Sequence, residues 1–423
     1  MDLEATEMAV RAAMHQAGAA VLTHLLHFAA PPPEHRHLAC PCGHQARYHE
    51  LRTKPILTAV GWTEVTRPYY LCPHCHTGQC PADAELDIEH TELSPGVRRM
   101  EALVGQAAPF EHGRQQLELL AGLVVTTKSV ERVAEAIGAD IAAREHMEIQ
   151  RAVQLDLPIV MGEPIPILYV QLDGTGIPVV KKETAGRPGR IDGQPAHTRE
   201  AKLGCVFTQA GWDEQGFAIR DPASTTYTGA IETAEEFGKR LYLEAWNRGW
   251  SRAKKKVVVG DGAAWIWNLA GQHFPGAIQI VDLFHARQHL WDLVRKLHPN
   301  DARAQKRWIG VHQKRWLDKG KIEKLVASLR AIASTNAEVS DKLHTEADYF
   351  ETHAERMRYP QFRKQHLFVG SGVIEAGCKS VIGSRLKQSG MFWTVDGANS
   401  ILALRCCRLN GSFENYWEGR RAA

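Results

Sequence analysis

Ile167-Leu168-Tyr169-Val170-Gln171-Leu172-Asp173-Gly174-Thr175-Gly176 is a short apolar run that ends in a carboxylate followed by two glycines. A continuous run of this length, bounded by a turn signal, reads as a buried strand. Ala201-Lys202-Leu203-Gly204-Cys205-Val206-Phe207 reads as a second strand, and Glu232 to Trp246 as an amphipathic helix. Lys256-Val257-Val258-Val259-Gly260 is a third strand ending at Asp261-Gly262, and Ala277 to Val281 a fourth, ending at Asp282. Strands alternating with helices predict an α/β core with a mixed sheet.

The chain upstream has a different pattern. Val10, Met14, Ala17, Val21, Leu25 and Phe28 recur at helical spacing over Glu4 to Phe28, and Pro31-Pro32-Pro33 stops that helix. Five of the nine cysteines, Cys40, Cys42, Cys72, Cys75 and Cys80, then fall within about 40 residues. The stretch Ile56 to Arg67 between them has the β-branched content and central Gly61 of a hairpin, as in a zinc ribbon. From Ser94-Pro95, an N-cap and first turn, to about Glu145 the pattern is helical.

Downstream of the core, Leu290 to about His366 is helical and basic. Nine Lys or Arg stand against three acids over Asp301 to Arg330, interleaved with Trp308 and Trp316. Gly370-Ser371-Gly372-Val373-Ile374-Glu375 opens a last helical segment. The expectation is a multidomain α+β chain: an N-terminal helix over 1–30, a zinc ribbon over 31–92, a small HTH-like helical domain over 93–160, and a catalytic domain over 161–423. That last domain carries an all-helical insertion at about 290–366.

With 423 residues, 44% apolar and 23% charged, the composition excludes a small disulfide scaffold and general disorder. No stretch reaches the roughly 18 uninterrupted apolar residues that a spanning helix needs. The acidic start Met1-Asp2-Leu3-Glu4 lacks a secretory pattern, so the expected location is cytoplasmic. A net charge of +3 is too small to argue for nucleic acid by itself, so any basic surface must be local.

Two constellations carry chemistry. Cys40-Pro41-Cys42 and Cys72-Pro73-His74-Cys75 are two close pairs about 30 residues apart, which suits four thiolates on a structural Zn²⁺. His44, His74, His76 and Cys80 are substitute ligands. Asp173 and Asp261, each at a strand end before a glycine, suit a site where carboxylates converge on Mg²⁺ or Mn²⁺. Glu375 is the third acid, and Lys379 lies one α-helical turn on, placed to hold a phosphate. Asp282 and His285 form an Asp-x-x-His pair that either ties the insertion to this site or makes a plain structural hydrogen bond.

The basic stretch is either a solvated face or a surface for DNA, with Arg307, Lys314, Arg315 and Trp316 as contacts. Thr127 to Ile137 is either a recognition helix presenting Lys128 and Arg132 or part of a plain bundle.

These motifs together resemble DDE transposases of bacterial insertion sequences, on the Mutator-like branch and in the Kra-type group with a cysteine-rich N-terminus. The resemblance covers essentially the whole chain. It implies an RNase H-like fold with Asp173, Asp261 and Glu375 as the catalytic acids, and it gives Asp282 and His285 a place in a recurring element of that branch. It also implies binding of double-stranded DNA at terminal inverted repeats, metal-dependent cleavage, strand transfer to target DNA, and pairing of ends by at least a homodimer. The alternatives are a structure-selective, metal-dependent DNA nuclease and a non-catalytic, domesticated DNA-binding regulator.

Overall fold

In the computed structural model, which describes residues 2–189 and 196–421, the apolar run at Ile167 lies at the centre of a mixed sheet. The chain forms two compact units, Met1–Ile137 and Gly138–Ala423. The division falls inside one 27-residue helix, α5 (Thr127–Val153).

The first unit begins with α1 (Leu3–Leu25), capped by the Asp2 side chain, which accepts from the Ala5 N–H. The helix stops at Leu25, short of Phe28, because Phe28 instead donates its backbone N–H to Thr66. Four strands follow, β1 (His37–Ala39), β2 (Gln45–Thr58), β3 (Gly61–Leu71) and β4 (Gly78–Gln79), antiparallel in sequence order. Gly61, at φ 107°, makes the tight β2–β3 connection, where a side chain would be strained. After the short α2 (Pro81–Glu85) come α3 (Pro95–Ala107), capped by Ser94 as its Ser-Pro start predicts, and α4 (Phe110–Gln116).

The second unit holds β5 (Ile165–Pro178), β6 (Thr198–Trp212), β7 (Ala218–Arg220), β8 (Thr226–Ala230), β9 (Ala253–Gly260) and β10 (Ile278–Val281). The core order is β10-β9-β5-β6-β8, with β5, β9 and β10 parallel and β6 antiparallel to both neighbours. A short hairpin adds β7 to the end of β6. Strand β5 is central, and Leu168 through Leu172 are fully buried. That explains its unbroken apolar reading.

Successive residues of a strand face opposite ways, so the sheet sorts its helices. Beside Gly204 lies Leu241 of α6 (Ala234–Asn247), and Gly260 lies against Ile266 of α7 (Ala264–His273). Leu203 and Gln171, of the other parity, meet α13 (Gly372–Gly377) and the residues around it. Between β10 and α13 run α8 (Leu283–Leu297), α9 (Ala302–Val311), α10 (Ile322–Ala331), α11 (Ala337–Thr352) and α12 (Tyr359–Lys364). They bury Leu290, Leu293, Leu325, Leu329, Leu343 and Phe350. The chain ends with α14 (Ser384–Leu386), α15 (Val395–Leu409) and α16 (Phe413–Arg421).

Candidate active site and zinc centre

Asp173 lies near the middle of β5, half-buried, on the same face as Gln171. Its Oδ1 accepts from the Gly174 N–H at 2.7 Å, and its Oδ2 accepts from the Cys378 thiol at 3.4 Å. Asp261 follows β9, the parallel neighbour of β5, and its Oδ1 accepts from Ala263 N–H at 2.8 Å just before α7. Glu375 is exposed on α13 and accepts from the Ser371 hydroxyl at 3.0 Å.

Burial pushes the Asp173 carboxyl above the ordinary carboxylate range, and the charges of Asp261 and Glu375 add to the shift. Asp173 therefore senses the other two acids, although the oxygens of the three do not all come within 4.8 Å. Among the described residues none of the three makes an ion pair with Lys or Arg. Hard oxygen donors from the middle of one strand, the end of its neighbour and a helix, with no basic partner, fit a divalent cation.

What aligns these elements is a set of buried polar bonds. Gln171, fully buried, donates its Nε2 to the Gly370 carbonyl at 3.1 Å and accepts the Ile374 N–H on its Oε1 at 3.1 Å. It thus pins the helix of Glu375 to the strand of Asp173. Asp282, 1% exposed, accepts from the Phe284 and His285 backbone N–H groups at 2.5 and 3.2 Å, capping α8. Its other oxygen accepts from the N–H of Ser371 at 2.9 Å and from the Ser371 hydroxyl.

In the Asp-x-x-His pair, then, His285 contributes its backbone N–H to a helix cap. Its exposed imidazole packs edge-on to His289, with centroids 5.1 Å apart. Helix α13 widens into a π turn over Cys378–Gly383, and Lys379 lies in that turn, four residues past Glu375. Lys379 is exposed; Lys387, further on, donates to the Thr175 hydroxyl at 2.9 Å.

Replacing Gln171 with Leu keeps the shape but leaves the half-buried Gly370 carbonyl and the buried Ile374 N–H without this partner. The expected cost is about 2–4 kcal/mol of stability, readable by thermal melting.

Sequence reasoning missed Gln171, Ser371, Cys378 and Lys387. The first signal was present, since a glutamine inside a buried apolar strand demands hydrogen-bond partners.

In the first unit, the β1–β2 and β3–β4 turns bring Cys40, Cys42, Cys72 and Cys75 together. The Sγ separations are 3.4 Å for Cys40–Cys42, 3.5 Å for Cys40–Cys75 and 3.7 Å for Cys42–Cys72. A zinc tetrahedron with bonds of about 2.3 Å has sulfur–sulfur edges of roughly 3.8 Å, so the set fits Zn²⁺. Hydrogen bonding with Thr77, side chain first and then backbone, lowers the Cys75 thiol to about 6. His44 stacks on His74, with centroids 3.8 Å apart, and both approach Cys42 as alternative donors. Cys80 stands outside the cluster.

Lys128 and Arg132 lie one turn apart on α5, both exposed, with Lys128 paired to Glu131 at 2.8 Å. Arg307, Lys314 and Arg315 are exposed. Trp316 is half-buried, edge-on to His312, which itself stacks on Trp308 at 3.7 Å. Trp308, like Trp316, is half-buried. No helix among the described residues is long and apolar enough to cross a membrane.

No family model matches the chain, and no curated protein matches it. Among solved structures it is similar to the Drosophila P element transposase strand transfer complex, with 8% identity, 80% of this chain and 84% of that one covered, and a TM-score of 0.27. It is similar also to NurA bound to dAMP and manganese, with 9% identity, 69% and 65% of the two chains covered, and a TM-score of 0.10. The molecule is a mixed α+β protein with a four-cysteine cluster near its N-terminus.

Proposed function

We propose that this protein is a DDE transposase of the Mutator-like, Kra-type kind, which binds the ends of a mobile DNA element, cuts there and joins the 3′ ends to target DNA. The observation that carries the reading is that Asp173 on β5, Asp261 just past the parallel neighbour β9, and Glu375 on a helix pinned to β5 have no basic partner, with the charges of the last two acting on Asp173. The strand order, with one antiparallel strand between the central strand and the edge, supports an RNase H-like core.

In this reading Asp173, Asp261 and Glu375 hold Mg²⁺ or Mn²⁺. The bound ions would activate the attacking oxygen and stabilise the leaving one. Cleavage adds water across a P–O3′ bond, leaving a 3′-hydroxyl and a 5′-phosphate. Joining is a transesterification in which that 3′-hydroxyl displaces a 3′-oxygen of the target.

Asp282 and Gln171 position the Glu375 helix, and Lys379 contacts a phosphate. Zn²⁺ on Cys40, Cys42, Cys72 and Cys75 shapes a ribbon that shares DNA binding with α5 and the basic helical segment. Pairing of two ends calls for at least a homodimer, and the setting is cytoplasmic.

Nicking of supercoiled plasmid tests the reading. It should require Mg²⁺ or Mn²⁺ and stop with EDTA; nicking that persists without metal would contradict it. Lys314 and Arg315 supply a separate test, since exposed cations on phosphates release counterions. The double alanine variant is expected to flatten the slope of log affinity against log salt by about two units. An unchanged slope would return this segment to a solvated face.

A further inference from the structure

Tyr349 of α11 reaches the turn that carries Asp261. A Cβ on Gly262 would overlap its ring and lie 2.8 Å from its hydroxyl, so only glycine leaves the phenol room there. The ring is fixed from behind. It stacks on His289 of α8, with centroids 4.0 Å apart and planes within 10°, and it stands edge-on to His353. His289 in turn donates Nδ1–H to Glu346 at 2.7 Å, a carboxylate whose side chain is only 1% exposed.

So firmly held a ring ends in a buried hydroxyl with no hydrogen-bond partner among the described residues. A buried O–H without an acceptor weakens a fold, and phenylalanine would give the same packing without that penalty. The phenol stays protonated, through burial and the neighbouring charges of Asp261, Glu346 and Asp282, and is therefore a donor facing acids. Asp261 is the acid at the adjoining turn, and its Oδ1 is already oriented by the Ala263 N–H.

We propose that Tyr349 is a positioning residue: when a divalent cation binds, the Asp261 carboxylate turns to accept from its unpartnered O–H as well as from the Ala263 N–H, which fixes how that carboxylate is presented to the ion. The proposal rests on the reading of Asp261 as a metal ligand and assigns a helix of the inserted segment a part in that site.

The test is titration of the zinc-loaded, full-length protein with Mn²⁺, followed by the electron paramagnetic resonance signal of the free ion, for the parent, Tyr349→Phe and Asp261→Asn. Tyr349→Phe keeps the stacked ring and removes only the hydroxyl. It is expected to weaken Mn²⁺ binding by about tenfold, the effect of losing a hydrogen bond to a charged group, without lowering the melting temperature. Asp261→Asn is expected to lose the site. Parental Mn²⁺ affinity in Tyr349→Phe beside loss in Asp261→Asn would overturn the role of Tyr349 alone, as would a lower melting temperature with unchanged affinity. Parental affinity in Asp261→Asn would overturn the metal-ligand reading and this proposal with it.

Discussion

Asp261→Asn is expected to lower metal-dependent DNA cleavage by about a thousandfold or more, because a ligand that serves several kcal/mol of transition-state charge stabilisation is lost. The substitution conserves volume and the bond from the Ala263 N–H, so the turn before α7 should stay folded and DNA affinity should remain within a few-fold. Asp173→Asn and Glu375→Gln should behave alike in a cleavage assay. A variant that cuts at the parental rate would remove its residue from the site.

Asp173 adds a pH dependence with a definite sign. Its folded-state carboxyl is raised, first by burial and then by Asp261 and Glu375, so the folded chain holds that proton more tightly than the unfolded chain does. Stability from this group is complete below the unfolded value and is lost as pH rises through the folded one. At neutral pH its charge therefore weakens the fold. Asp173→Asn should melt higher than the parent at neutral pH, with the gap closing in acid, which thermal melts at the two pH values would read. A site that sacrifices stability to gather like charges is the usual mark of function over packing.

The second large effect is expected at the cysteines. Around them the buried core is only Cys40, Ala46, Tyr70 and Cys72, with Leu38 and Tyr48 packed against it. So small a core cannot hold β1 and the ends of β2 to β4 by apolar burial alone. Structural Zn²⁺ contributes apparent binding energies on the order of 10 kcal/mol in small zinc domains. Cys72→Ser should release one zinc per chain, measured by elemental analysis, and open this end of the first unit to protease. Cys80→Ser should keep the metal, since Cys80 lies outside the cluster. Equal loss in both variants, or no zinc in the parent, would end the assignment.

The parts of this molecule legible in the sequence are those set by local pattern. The apolar run at Ile167, the Val-Val-Val strand before Gly260 and the Gly61 hairpin announce themselves through periodicity and turn chemistry. The paired cysteines were legible because spacing alone suggests the donor set, whereas Asp173, read as a strand end, lies inside β5, which runs on to Pro178 through its pairing with β6. Strand β8 was not, because Thr226-Tyr227-Thr228-Gly229-Ala230 has no apolar run and is specified by pairing with β6.

The supports of the site were hidden for another reason. Gln171 meets Ile374 and Asp282 meets Ser371 across long stretches of chain, and Tyr349 meets Gly262 from a helix whose own pattern reads only as amphipathic. Nor does the sequence signal the π turn that starts at Cys378, whose thiol meets Asp173.

A strand-joining assay tests the central claim most directly. A short duplex with a free 3′-hydroxyl end and a plasmid target would be incubated with Mg²⁺ or Mn²⁺ and either the parent or Glu375→Gln. Joined product that forms with the parent, needs the metal and disappears with Glu375→Gln is the predicted result. Joining by Glu375→Gln at the parental level, or joining that proceeds in EDTA, would contradict it.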